Sequence, residues 1–183
     1  MRTFVSVFGA IVFIGLASHG IAAAQDNNCA VTFGTRATIE GVGKIKPGML
    51  VFQFQKYCPR GTVRAEHDTE ANPIRVIRLR SPDPIVRIDI DSGRLGTIGI
   101  LDSQIVDERG FRVGSVLAQG VDRNGLIGIE EDGILFLKPE NTCGISYYTD
   151  YGPPDTEHRA RWSTADIQKL GPLRIKEIRI FKC

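Results

Sequence analysis

Alternating apolar and polar residues run through most of the chain after residue 25 and predict a series of short β-strands. Residues 85–91 show the pattern best, because Val86, Ile88 and Ile90 alternate with charged side chains. Residues 49–57 alternate in the same way and predict a strand that leads into Cys58. Further strands are predicted over residues 74–80, 126–130, 134–138, 145–149 and 173–182.

Two of these predicted strands contain a break in the alternation. Ile77 directly follows Val76, which predicts a bulge or twist within residues 74–80, and Lys176-Glu177 predicts a second irregularity in the last strand. Pro82 and Pro84 mark a turn because proline cannot donate a hydrogen bond to a neighbouring strand. The sequence 131–133 ends in Asp-Gly, a strong hairpin signal between two of the strands.

One helix is predicted near the carboxyl end of the chain. Ser163 is a good N-cap, Asp166 stands at the third helical position, and Trp162 and Ile167 occupy the two positions of a hydrophobic staple. Gly171-Pro172 ends the helix. The fold class expected is therefore mainly β, a small barrel or sandwich with one short helix near the C-terminus.

The amino-terminal residues have the layout of a secretory signal peptide. Arg2 precedes an uncharged apolar run that ends in small residues, and we expect cleavage after residue 24. Residues 25–183 then form a single domain of 159 residues, located in the periplasm or secreted. A retained membrane anchor is the alternative, but the apolar run is short for a bilayer, and no later segment predicts a membrane span. Cys29 lies too far from the cleavage site for a lipoprotein.

The charge of the predicted domain argues against a nucleic-acid partner. Without Arg2, 22 basic residues face 21 acidic ones, and the sequence shows no concentrated basic stretch. The chain also lacks an Asn-x-Ser/Thr glycosylation site, which favours a bacterial exported protein over a eukaryotic secreted one.

Four cysteines, Cys29, Cys58, Cys143 and Cys183, predict two disulfides in an oxidising compartment. Three pairings are possible. We favour Cys29 with Cys58 and Cys143 with Cys183, because each pair closes a loop of a few tens of residues and the second would hold the carboxyl terminus in place.

No motif predicts a catalytic residue, a metal site or a cofactor. Glu66-His67-Asp68, with Glu70 close by, is the densest titratable cluster, but neighbouring residues on a loop do not converge on one metal ion, so a solvated loop tip is expected. Asp122-Arg123-Asn124-Gly125 is expected to be a turn, since it lacks the ligands of a calcium loop. Glycines between residues 96 and 128 fit no phosphate-binding motif and are interpreted as bulges and turns.

Residues 147–161 are the best candidate for recognition of a partner. This stretch combines tyrosines, arginines and a Gly-Pro-Pro sequence, residue types that suit protein interfaces. A connection with its tyrosines half buried in the sheet is the alternative. The predicted binding residues are Tyr147, Tyr148, Tyr151, His158, Arg159 and Arg161.

Residues 109–117, the sequence Gly144-Ile145-Ser146-Tyr147-Tyr148 and the final Ile178-x-Ile180 resemble a pattern found in small bacterial exported proteins of unknown function. The resemblance covers about the last 80 residues. This chain departs from the pattern where Gly120 and Gly125 interrupt an expected helix. The resemblance implies a β-rich periplasmic domain and no active-site residues.

Export, disulfides and the lack of a catalytic motif together favour a non-enzymatic binding or inhibitor module that engages a protein or envelope partner. An envelope hydrolase that uses carboxylates or His67 is the first alternative, and a cleft that gathers such groups with perturbed pKa values would favour it. A structural component of an envelope assembly is the second, and a large exposed apolar patch would favour that role.

Overall fold

The structure is a computed structural model that describes residues 29, 31–32, 34–68, 70–80, 83–152 and 160–183. The predicted signal peptide, residues 1–24, lies outside the described residues, as do His158 and Arg159. None of the helices in the described ranges has the length and apolar content needed to cross a bilayer.

The described residues form a mainly β fold, which confirms the predicted class. A three-stranded sheet has the order β2-β1-β7, and a ten-stranded sheet has the order β12-β9-β10-β11-β13-β6-β5-β4-β3, with β8 also paired to β13. The elements in chain order are β1 (Arg36–Thr38), β2 (Gly41–Val42), α1 (Val51–Tyr57), β3 (Val63–His67), β4 (Pro73–Leu79), β5 (Val86–Asp91), β6 (Arg94–Ile100), β7 (Val106–Asp107), β8 (Val116–Leu117), a 3-10 turn (Val121–Arg123), β9 (Leu126–Glu131), β10 (Ile134–Pro139), β11 (Ile145–Thr149), β12 (Arg161–Trp162), α2 (Thr164–Lys169) and β13 (Leu173–Ile180).

One face of the large sheet packs on the hydrophobic core, and the other faces outward. Ile88, Ile98 and Ile178 are fully buried on the core face. Because side chains alternate along a strand, the residues between them project to the opposite face. Antiparallel pairing of β4, β5, β6, β13, β11, β10 and β9 extends that outward face over seven neighbouring strands.

Both favoured disulfides are present, Cys29 with Cys58 and Cys143 with Cys183. They close sequence separations of 29 and 40 residues. The first joins the segment before β1 to the end of α1, and the second holds the carboxyl terminus beside the start of β11.

The strand predicted over residues 49–57 is wrong, because Val51–Tyr57 form a helix. Only Phe54 is buried within it, whereas Phe52 is 56% exposed. Val51, Phe54 and Cys58 contact the core at spacings of three and four residues, which is the period of a helix. The large apolar residues of this short stretch alternate as they would in a strand. The contacts of Val51, Phe54 and Cys58 with the core nevertheless favour the helix.

The helix near the C-terminus is confirmed as α2. The Ser163 side chain accepts a hydrogen bond from the Asp166 backbone, and the Asp166 carboxylate accepts one from the Ser163 backbone N–H. Trp162 and Ile167 are both buried, as the staple requires.

Of the two predicted strand irregularities, one is confirmed and one is misplaced. The pairing of β11 with β13 shifts register opposite Lys176, as predicted. Strand β4 pairs regularly with β5, and the nearby shift lies instead between β5 and β6, at Ile88 to Ile90. Val76 and Ile77 are both buried, although they point to opposite faces of β4.

Candidate ligand-binding cleft on the outward face of the sheet

The outward face of the ten-stranded sheet forms an open cleft of about 770 Å³, continuous with a second depression of about 450 Å³. The two share Arg87, Phe136 and Arg179 in their walls. A combined cleft of this size can hold a ligand of several rings. Side chains from β3, β4, β5, β6, β13, β11, β10 and β9 line it.

Three arginines form a row across the floor of this cleft. Arg78 of β4 is directly opposite Arg87 of β5, Arg87 is opposite Gly99 of β6, and Gly99 is opposite Arg179 of β13. Neighbouring strands lie about 4.8 Å apart, so Arg78 and Arg87 are close neighbours of like charge. Such a pair destabilises a sheet unless other groups compensate the charge.

Each of these arginines is compensated by a carboxylate on the same face. Glu66 of β3 accepts two hydrogen bonds from Arg78, at 2.7 Å from Nε and 2.6 Å from Nη2. The Arg78 guanidinium, mainly through these hydrogen bonds, holds the pKa of Glu66 below its usual range. The cleft floor therefore carries strong donors and acceptors with little net charge.

The other two ion pairs join residues two apart on one strand. Arg179 Nε lies 3.2 Å from Glu177 Oε1, and Arg87 Nε lies 3.1 Å from Asp89 Oδ1. The Arg87–Asp89 pair lacks hydrogen-bond geometry. Among the residues that the structure describes, Arg87 Nε and Asp89 Oδ1 are the buried side-chain polar atoms without a hydrogen bond. The two atoms compensate each other's charge, and the rest of both side chains, 32% and 45% exposed, lines the cleft.

Gly99 makes the arrangement of the arginine row possible. A Cβ at this position would collide with the carboxylate of Glu177, which lies over the glycine. The absence of a side chain thus leaves room for a negative group between Arg87 and Arg179. Gly99 was interpreted as a bulge or turn, and this is corrected, because it lies inside β6 and pairs regularly on both sides.

Aromatic side chains form the wall next to the arginine row. Phe136 of β10 lies opposite Tyr148 of β11, and their ring centroids are 5.3 Å apart. The Arg179 guanidinium lies 4.9 Å from the Phe136 centroid and 5.4 Å from the Tyr148 centroid. These cation–π contacts and the ion pair with Glu177 hold Arg179 in one orientation.

One rim of the cleft is formed by three carboxylates from two hairpin turns: Asp68, Glu70 and Asp132. Asp68 Oδ1 accepts hydrogen bonds from the backbone of Asn72 at 2.8 Å and of Glu70 at 3.0 Å, and these hydrogen bonds lower the pKa of Asp68. Asp68 therefore shapes the turn. In the ranges described, no group of three or more His, Cys, Asp or Glu side chains has an arrangement that could hold a metal ion.

The structure separates the binding residues predicted between 147 and 161. Tyr148 lines the cleft, and Arg161 lies on the same face, directly opposite Ile129 at the far side. Tyr151 packs partly buried against Trp162, with ring centroids 6.1 Å apart. Tyr147 is fully buried on the core side, and its hydroxyl donates to Asp107 at 2.6 Å. His158 and Arg159 lie outside the described residues.

Sequence reasoning missed most of the cleft. It interpreted Glu66 as part of a loop tip, whereas Glu66 lies in β3 and pairs with Arg78. The alternation of charged with aliphatic residues in β4, β5 and β13 could have indicated a charged face of the sheet. The sequence does not show, however, which of these strands are neighbours.

Among solved structures, the chain is similar to that of the uncharacterized protein YfeY from Escherichia coli. The two are 17% identical, with a TM-score of 0.57, over 81% of this chain and 100% of that chain. This likeness shows the fold and confirms the expected resemblance to a small β-rich bacterial protein of unknown function. No protein-family model and no curated protein matches the chain.

Proposed function

We propose that this protein is an exported, non-enzymatic binding module, and that the cleft on the outward face of its large sheet holds the partner. The observation that carries the proposal is the row of arginines with its three compensating carboxylates. These side chains are held in place before any ligand arrives, which reduces the entropy lost on binding. The two disulfides suit an oxidising compartment, which supports export.

The geometry supports binding better than hydrolysis. A general acid at neutral pH needs a raised pKa, whereas the hydrogen bonds from Arg78 lower the pKa of Glu66. A carboxylate held in a bidentate pair is also oriented toward its arginine and away from a substrate. The cleft does gather carboxylates, as the hydrolase hypothesis requires, but the lowered pKa values of Glu66 and Asp68 suit fixed acceptors.

The test replaces Gly99 with alanine. The added Cβ would displace only the flexible end of Glu177, and the extended backbone accepts alanine, so the fold should be preserved while the arginine row is disrupted. Gly171→Ala is the matched control, because an added Cβ there meets nothing within 4 Å.

Each variant is expressed as the full chain in a bacterial host, recovered from the exported fraction, mildly crosslinked to native envelope material, and analysed by mass spectrometry and by sugar composition. We expect a stoichiometric partner with the wild type and Gly171→Ala, and its loss with Gly99→Ala. Equal recovery by all three proteins would remove the cleft from the proposal. No recovery by any of them would contradict a binding module.

A further inference from the structure

We infer that the ligand of this cleft is an uncharged oligosaccharide built of acetamido sugars, an inference that rests on the proposed binding function. The cleft offers donors and acceptors side by side, together with ring faces, and its floor has little net charge. An acetamido sugar needs all three, because it carries hydroxyl and amide groups at its edges and apolar C–H faces and a methyl group.

The three ion pairs argue against a strongly charged ligand. Arg78, Arg87 and Arg179 each lie within 3.2 Å of a carboxylate oxygen on the same face. A polyanion would have to displace those carboxylates, and a polycation would have to displace the arginines. A neutral ligand can instead bind to the hydrogen-bonding groups that the ion pairs leave unused, since a guanidinium has five N–H donors and a carboxylate about four acceptor sites.

The Arg87–Asp89 pair shows this unused capacity directly. Arg87 Nε and Asp89 Oδ1 face each other at 3.1 Å, and the rest of the two side chains, 32% and 45% exposed, lines the cleft with further N–H donors and a second carboxylate oxygen. The C=O and N–H of a trans amide point in opposite directions, so the C=O can accept from one arginine of the row while the N–H donates to the carboxylate of a neighbouring pair. The acetamido group of a sugar therefore matches the alternation of donors and acceptors along the row.

The aromatic wall supplies the apolar part of the site. Phe136, Tyr148 and Ile129 lie in one row of cross-strand neighbours, beside the polar row that contains Arg179. A ring that hydrogen-bonds to the polar row would bring its C–H face toward this apolar row. A single ligand ring can thus contact both kinds of surface at once.

The orientation of the cleft favours a sugar chain over an extended peptide. Peptides that bind to sheets pair with an exposed strand edge, and acidic peptides use uncompensated arginine clusters. The cleft lies on the face of the sheet and its arginines are compensated. It also crosses the strands from β4 to β9, six strand spacings or about 29 Å, which suits a linear chain of sugar units.

The test uses N,N′,N″,N‴-tetraacetylchitotetraose, an uncharged acetamido tetrasaccharide, with the full chain recovered from the exported fraction. Binding is measured by isothermal titration calorimetry at about 0.05 M and about 0.5 M salt. We expect saturable binding that changes less than about twofold between the two salt concentrations, because no net ion pairing is involved. Hexalysine is titrated in parallel as the charged peptide probe for the acidic rim.

Two variants locate the binding site. Arg87→Gln removes a cleft guanidinium, and Phe136→Leu removes a cleft ring but keeps an apolar side chain. Arg60→Gln and Phe52→Leu are the matched controls, since both residues are exposed and neither lines the cleft. We expect the cleft variants to lose at least about tenfold in affinity. The controls should bind like the wild type, and matching circular dichroism spectra confirm folding.

The outcomes separate this inference from the proposed function. No tetrasaccharide binding, with a partner still recovered in a Gly99-dependent manner, overturns the sugar ligand and leaves the binding module in place. Salt-sensitive hexalysine binding without tetrasaccharide binding replaces the ligand class with a basic peptide. Tetrasaccharide binding that the cleft variants do not weaken also overturns the inference. Cleavage of the tetrasaccharide would contradict the non-enzymatic proposal itself.

Discussion

Replacement of Arg123 by methionine should destabilise the protein strongly, although Arg123 is remote from the cleft. Its side chain is 1% exposed and donates five hydrogen bonds to four backbone carbonyls. Three of those carbonyls, at Ile167, Leu170 and Gly171, belong to the end of α2 and the two residues after it. Burial lowers the pKa of Arg123, and the nearby Asp122 opposes this effect.

The magnitude follows from which carbonyls lose a partner. Ile167 O still accepts from the Leu170 backbone N–H, and Leu170 O still accepts from Gln119. The loss therefore falls mainly on the carbonyl of Gly171, and in part on that of Leu117, a residue that also pairs with Leu173 in the sheet. A hydrogen bond from a charged donor contributes about 1.5 to 3 kcal/mol, so we expect a loss of about 3 kcal/mol after methionine regains some apolar burial. The melting temperature should fall by roughly 6 to 12 °C.

The assay is urea unfolding followed by the fluorescence of Trp162, the only tryptophan of the chain, which is buried beside α2. Arg112→Met, an exposed arginine, is the control and should change the free energy of unfolding by less than about 0.5 kcal/mol. Arg123→Lys should be intermediate, because one ammonium cannot reach all four carbonyls. A free energy of unfolding for Arg123→Met within about 1 kcal/mol of the wild type would refute the reasoning.

Two further predictions concern a buried hydrogen bond and a disulfide. Tyr147→Phe removes the hydroxyl bonded to Asp107 and should cost about 2 kcal/mol at neutral pH. Burial and the hydrogen bond to Asp107 raise the pKa of Tyr147. The stabilisation by the hydroxyl is therefore complete below the pKa of tyrosine in the unfolded chain, about 10, and decreases as the pH rises above it. A stability difference between the wild type and Tyr147→Phe that stays constant up to about pH 11 would contradict this. The double variant Cys143→Ser/Cys183→Ser should lose about 4 kcal/mol in urea unfolding, because the disulfide closes a 40-residue separation. Reduction of the wild type should give a larger loss, because it also breaks Cys29–Cys58.

Local signals accounted for the features that were predicted correctly. The cap at Ser163 and the staple at Trp162 lie within five residues of each other, so they predicted α2 without knowledge of the fold. The alternation in residues 85–91 predicted β5 in the same way. The disulfide pairing was also found, because short loop closure favours cysteines that are near in sequence.

Features that depend on distant residues were missed or misplaced. The helix α1 exists because Val51 and Phe54 reach the core at helical spacing, which the alternating pattern concealed. Likewise, the register shift near β4 depends on how β5 meets β6. The predicted binding residues were chosen by type, and Tyr147 shows the limit of that approach, since its ring faces the core.

The sequence by itself determined the class of this protein: a β-rich chain with an expected signal peptide, two disulfides and one capped helix near its end. Each of these was predicted from the type and spacing of residues along the chain, because strand alternation, helix capping and loop closure depend on sequence separation. Only the tertiary structure decided the cleft, because Arg78, Arg87, Gly99 and Arg179 come from four strands whose order and register no local pattern encodes. Cross-strand pairing places them in one row, and the missing side chain at Gly99 leaves the space that Glu177 occupies.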